Sequence, residues 1–164
     1  MESRRQALAA VERQTAVLIR HIEMLHRRSD IHETLDRAEY LLLRTLDEAG
    51  PMDINTLAAS LGLDPSTAGR QVSALQGSGF VDRSPAPGDR RRSIVTPTAA
   101  GLARMSHVRR LRTESTADLL AGWTDEDVRT LGTMFDKYNR CVAARYLTGQ
   151  PATRPEQLTS HNDA

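Results

Sequence analysis

Residues 64–101 read DPSTAGRQVSALQGSGFVDRSPAPGDRRRSIVTPTAAG. Asp64 is a good N-cap, Pro65 suits the first helical position, and Ser66 and Thr67 fill the first turn, so a helix starts here. Ala68, Val72 and Leu75 recur at helical spacing and form a packing face, whereas Ser66, Thr67, Arg70 and Gln71 are read as the polar face turned toward a partner. Gly77 and Gly79 end the helix. Two short β-prone runs follow, residues 80–83 and 93–96, separated by Pro85, Pro87 and Gly88 and by the charged run Asp89, Arg90, Arg91 and Arg92. This is the pattern of a hairpin with a cationic tip.

Working outward, Asp53 caps a short helix over residues 54–60, in which Leu57, Ala58 and Leu61 supply packing and Gly62 permits the tight turn into Asp64. Two helices joined this closely cross steeply and make a helix-turn-helix. In such a unit the second helix offers its N-terminal residues to base edges in the major groove, here Ser66, Thr67, Arg70 and Gln71. Arg70 is the strongest base reader among them, because its planar fork can donate two hydrogen bonds to guanine O6 and N7. The competing reading is an ordinary solvated helix face.

Charge separates the two. The chain of 164 residues carries a formal net charge of only +1, but the charge is unevenly spread. Residues 1–62 hold eight Arg against ten acidic residues, residues 63–112 nine Arg against three, and residues 113–164 five basic residues against eight acidic. The positive charge is concentrated on the stretch that would meet phosphate, as a nucleic-acid-binding surface requires. With 39% apolar residues but only two Phe, three Tyr and one Trp, the core must be aliphatic, which suits helices. A single cysteine, Cys141, excludes an internal disulfide. No run approaches the roughly 20 apolar residues that span a bilayer, and the N-terminus lacks the apolar stretch of a signal peptide, so a cytoplasmic protein is expected.

The flanks read as long helices. Leu8, Val11, Thr15, Leu18, Ile22 and Leu25 step by three and four, a narrow seam of the helix-on-helix kind. A second helix covers about residues 31–49 and stops at Gly50 and Pro51. Thr98 caps a third, ending near Gly122. Thr124 with Asp127 resembles a capping box opening a fourth, whose stripe is Val128, Leu131, Phe135, Tyr138 and Val142. The expectation is a mainly α fold of about six helices and a two- or three-stranded wing. It divides into an N-terminal dimerisation helix (residues 1–30), a winged helix-turn-helix lobe (31–98), C-terminal dimerisation helices (99–148) and a disordered tail (149–164). The alternative use of the seams is packing on one another in a monomer.

The helix order, the segment LGLDPSTAGRQVSALQGSGFVDR and the wing RSPAPGDRRRSIVTPTAAG resemble the multiple antibiotic resistance regulator (MarR) family of bacterial transcription factors over about residues 5–148. The matching wing positions are Arg83, Pro85, Pro87, Asp89, Arg90 and Arg91, followed by Thr98 and Gly101. The resemblance implies that Arg91 reaches a minor groove while Asp89 orients it. It also implies a homodimer on double-stranded DNA at a pseudo-palindromic operator, most simply a repressor, with no cofactor. A small aromatic or phenolic effector would bind near His21, Leu25, Tyr40 and Arg44 and the start of the helix after Thr98. Two positions depart from the pattern: Arg92 replaces a small polar residue and Pro97 a leucine.

Other chemistry is weaker. His21, Glu23, His26, Asp30, His32 and Glu33 lie close in sequence, so a zinc-responsive regulator is one alternative, although the five-residue step from His21 to His26 points the rings apart. A winged-helix protein-interaction module is another. Cys141 borders the apolar stripe of the last helix and is expected to be packed and inert. There is no phosphate loop, HExxH, CxxC or nucleophile elbow, and an enzyme is not expected.

Overall fold

The computed structural model describes residues 2–28 and 35–147, apart from the side chains of His26, Arg28 and Arg90. Six helices and a three-stranded antiparallel sheet follow in the order α1 (Glu2–Arg28), α2 (Arg37–Ala49), β1 (Met52–Asp53), α3 (Ile54–Leu61), α4 (Pro65–Gly77), β2 (Val81–Ala86), β3 (Asp89–Pro97), α5 (Ala99–Leu119) and α6 (Asp125–Tyr146). This is the winged helix-turn-helix arrangement expected from the sequence.

Helix starts are set by short side chains at their caps. Asp36 accepts the Glu39 amide N–H at 2.8 Å while Glu39 accepts the Asp36 N–H at 3.0 Å, so α2 begins at Arg37 rather than near residue 31. Residues 31–34, the first part of the helix expected there, and the tail at 149–164 lie outside the described residues. Asp53, Asp64 and Thr98 cap α3, α4 and α5 by accepting one first-turn amide each, and Thr124 with Asp127 makes a second reciprocal box at α6. Between α3 and α4, Gly62 takes a left-handed conformation (φ +66°) and the chain turns directly into the Asp64 cap.

The wing is longer than its β-prone runs suggest. β3 is the central strand, paired with β1 through Met52 and Val95 and with β2 through Arg83 and Val95. Because β2 lies at the sheet edge, Pro85 can sit inside it, where its missing N–H faces no neighbour, and pairing continues to Ala86 and Asp89 around Gly88 (φ +79°). Pro97 closes β3 opposite Val81, and the next residue, Thr98, donates its N–H to the Phe80 carbonyl.

The core lies in the lobe. Leu42, Leu43 and Leu46 of α2, Leu57 of α3, Val72 and Leu75 of α4, and Val81 and Val95 of the sheet are fully buried, and Met105 and Val108 of α5 complete the cluster. The first half of α5 is therefore a core element of the lobe. By contrast α6 buries none of its residues, and Leu8, Val11, Leu18, Ile22 and Leu25 of α1 are all exposed. Among the described residues no helix is long and apolar enough to cross a membrane.

One junction has no slack. Thr98 Oγ1 caps the Gly101 amide at 3.0 Å and donates to the Gly79 carbonyl at 2.8 Å, pulling α5 against the start of β2. A Cβ at Gly101 would overlap the Phe80 carbonyl oxygen and lie 2.9 Å from its carbonyl carbon. Gly101→Ala should therefore cost about 2–3 kcal/mol of stability through backbone displacement, seen as a lower urea midpoint at unchanged slope.

Candidate nucleic-acid interface

The first turn of α4 is organised by one carboxylate. Asp64 accepts the hydroxyls of Ser66 and Thr67 and, at 2.9 Å, the Thr67 amide. These donors, the Ser66 hydroxyl foremost, hold its carboxyl well below the usual range. Thr67 Oγ1 in turn accepts the Arg70 guanidinium at 3.1 Å, so an exposed arginine is held along the exposed start of the helix. The Ser66 and Thr67 hydroxyls thus donate inward to Asp64, while Arg70 keeps most of its donors free for a ligand.

Gln71 does not share that face. It lies three residues after Ala68 and four before Leu75, which is the helical repeat of the buried side, and its Oε1 is buried without a hydrogen-bond partner. The sequence reading grouped it with Arg70 on polarity alone, and the packing separates them.

In the wing, Asp89 Oδ1 accepts the backbone N–H of Arg91 at 3.0 Å. The aspartate therefore shapes the turn through the main chain, which leaves the Arg91 side chain exposed. The Arg90 side chain lies outside the described residues. Arg92, expected as another tip charge, instead reaches back to Asp53 at the N-cap of α3 and forms an ion pair with it. The reason is the antiparallel pairing of Asp53 with Ile94, which brings the two side chains together across 39 positions of sequence.

Asp53 is only 8% exposed. Its carboxyl is held down at about 2 by the Thr56 amide first and the Arg92 guanidinium second, against the cost of burial. The result is an open groove of about 430 Å³ between the α4 start and the wing, with Ser66 on one wall and Arg83, Arg91 and Arg92 on the other. Of the nine predicted contact residues, the structure brings these four together, keeps Thr67 beside Ser66 in the first turn of α4, sets Arg70 one turn further along, and turns Gln71 away.

A second cavity, about 570 Å³, opens between α2, α5 and the α5–α6 corner. Of the four residues expected near an effector, Tyr40 and Arg44 line this cavity, whereas His21 and Leu25 do not. Its most distinctive residue was missed. Arg112, well along α5 rather than at its start, lies 4.6 Å from the centroid of the Tyr40 ring and has no carboxylate partner among the described residues. Burial lowers the pKa of its guanidinium, the sign of a partly desolvated charge. Trp123 and Val128 supply apolar wall. A cation in a Leu-Arg-rich helix looks like solvated surface in sequence, so only its contact with Tyr40 could reveal it.

Among the described residues no three His, Cys, Asp or Glu side chains gather to hold a metal. Asp30, His32, Glu33 and the His26 side chain lie outside them. Cys141 is exposed, contrary to the packed position expected for it, because α6 buries nothing within one subunit.

Comparison with known proteins agrees with this geometry. The MarR family model matches residues 35–93. The HTH-type transcriptional regulator YxaD of Bacillus subtilis is 32% identical over 130 residues, covering 79% of this chain and 91% of its own. Among solved structures, a MarR family protein from Bacillus stearothermophilus superposes with a TM-score of 0.70 at 17% identity, over 84% of this chain and 96% of its own. The PcaV regulator of Streptomyces coelicolor, in complex with its natural ligand, does so at 0.64 and 25% identity, over 79% and 90%.

The Asp53 arrangement makes a prediction in pH. Because the folded state favours the ionised carboxylate, its stabilisation is complete above the ordinary carboxylate range and is lost as pH falls from about 4 toward about 2. Asp53→Asn should lower the urea midpoint at neutral pH and flatten its decline across that acid window, and an unchanged acid profile would refute the assignment.

Proposed function

Because the chain belongs to the MarR family, and so is a DNA-binding transcriptional regulator rather than an enzyme, we propose that it acts as a cytoplasmic homodimer. In this reading it represses transcription by occupying a pseudo-palindromic operator, from which a small aromatic effector releases it. The observation that carries the dimer is the exposure of apolar side chains on both terminal helices: Phe135 is 43% and Tyr138 52% exposed on α6, and Leu8, Val11, Leu18, Ile22 and Leu25 of the α1 seam are exposed as well, with Val17 and Ile19 beside them. Surface of this extent calls for a partner. A second copy supplies a matching one by two-fold symmetry and sets two α4 helices at successive major grooves.

Arg70 is the proposed base reader and Arg91 the proposed minor-groove contact, with Arg83, Arg90, Ser66 and Thr67 on flanking backbone or bases. Arg92 contributes charge to the groove while its pair with Asp53 sets the wing angle. Gln71, with its amide turned inward, is not retained as a base contact.

For the effector, the Tyr40 cavity suits an aromatic acid. Arg112, which has no carboxylate partner among the described residues, offers its guanidinium to a carboxylate, and Trp123, Val128 and Tyr40 offer apolar wall. PcaV, a relative crystallised with a natural ligand, makes ligand control a natural expectation for this chain too.

Selection from random-sequence DNA followed by footprinting tests the operator, with a palindromic site expected and recovery of no preferred sequence overturning the reading. On the selected site, Arg70→Ala should lose roughly 1–3 kcal/mol and blunt discrimination at one position per half-site. The wing gives a test by sign. Asp89→Ala should weaken binding despite removing a negative charge, because the turn acceptor for the Arg91 amide is lost, while Asp89→Asn, which keeps an acceptor, should not. Equal tightening by both would reduce Asp89 to a bare charge.

Benzoate and its hydroxylated derivatives are the effector probes. Operator release by any active member, followed by fluorescence anisotropy, should disappear in Arg112→Ala, and undiminished release would place the effector elsewhere.

A further inference from the structure

A cavity distinct from the Tyr40 site lies where the start of α2 and the end of α3 meet α4. Its volume is about 230 Å³ and its walls are Ala38, Leu41, Leu61 and Leu63, with Arg37 and Gln71 as the polar lining. Gln71 Oε1 is the one buried side-chain oxygen or nitrogen without a partner among the described residues. The orphan matters because Gln71 occupies a core-face position of α4, between Ala68 and Leu75, where an apolar residue would pack without penalty. A buried amide end left unpaired is costly, and such groups are rare in native proteins unless a water, ion or ligand satisfies them.

The cleft is open to solvent on one side, where Arg37 is exposed and Leu41 is 44% exposed, but Gln71 Oε1 itself is out of contact with solvent. An amide and one guanidinium against four apolar side chains make its lining largely apolar. Apolar cavities of roughly 150 Å³ admit a benzene ring, so this one holds a single substituted ring. A hydroxyl both donates and accepts and so pairs with either end of an amide.

We propose that this cavity is a binding site for a small, largely apolar molecule carrying one hydroxyl, which hydrogen-bonds to the Gln71 amide on the inner face of α4. The occupant touches α2, the end of α3 and α4 at once, next in sequence to Arg70. This site is independent of the Tyr40 cavity and does not rest on the effector reading above.

The test uses the full-length protein, isotope-labelled, with phenol and toluene as probes of nearly equal shape. Phenol should shift the Gln71 side-chain amide resonances together with the backbone amides of Leu61 and Leu63. Toluene should bind about tenfold more weakly, the factor expected for one net hydrogen bond. In Gln71→Leu the preference should vanish or reverse. Ala38→Phe, which fills the cavity while leaving Gln71 in place, should abolish the shifts at Leu61 and Leu63. Phenol shifts confined to Tyr40 and Trp123, equal affinity for the two probes at the Gln71 site, or an ordered water on Gln71 that phenol does not displace would each overturn the proposal.

Discussion

Asp53 sits where three elements meet, and the shape of the groove between α4 and the wing depends on it. Its backbone pairs with Ile94 in the sheet, its side chain caps α3 through Thr56, and the same carboxylate accepts the Arg92 guanidinium from the wing. A hairpin on its own is a marginal structure, free to swing about its base. Pinning it to the helix-turn-helix at a nearly buried point fixes the distance between the α4 start and Arg83 and Arg91. A groove of set width follows from one carboxylate with few other places to go.

The same logic runs through the smaller polar contacts. Asp64 gathers Ser66 and Thr67 and, through Thr67, steadies Arg70, while Asp89 steadies the wing turn through the Arg91 amide. In each case an acidic residue inside a basic surface organises backbone or hydroxyl groups and leaves an arginine side chain presented outward. Removing acidic residues from such a surface therefore does more than raise its charge. Arg112 marks the opposite situation, a guanidinium partly withdrawn from water beside Tyr40 and with no carboxylate partner among the described residues.

The described chain is well packed in its lobe and leaves its terminal helices uncovered. Its core uses α2, α3, α4, the sheet and the first half of α5, whereas α1 and α6 present apolar residues to solvent along their length. Sequence periodicity alone announced those seams, but it could not say that neither would be buried among the described residues. The exposure of Cys141 has the same origin: α6 has no covered face on which to bury a thiol.

What the sequence determined by itself is whatever acts over a few residues. Asp64 with Pro65, Thr98 before α5, the Thr124 and Asp127 capping box and the Gly62 turn each operate within one helical turn, so the helix-turn-helix and the order of helices were legible before any coordinates. The Asp36 and Glu39 box that starts α2 is equally local and equally readable from residue types at three-residue spacing. Tertiary structure alone decided the rest. Strand order set how far the wing extends, since Pro85 is tolerated only because β2 is an edge. Strand pairing turned Arg92 from a tip charge into a tie across 39 residues, helix packing drew Gln71 inward, and the crossing of α2 and α5 laid Arg112 on Tyr40. Polarity tells a reader what a side chain can bind, but which neighbour reaches it first depends on distances that only the folded chain sets.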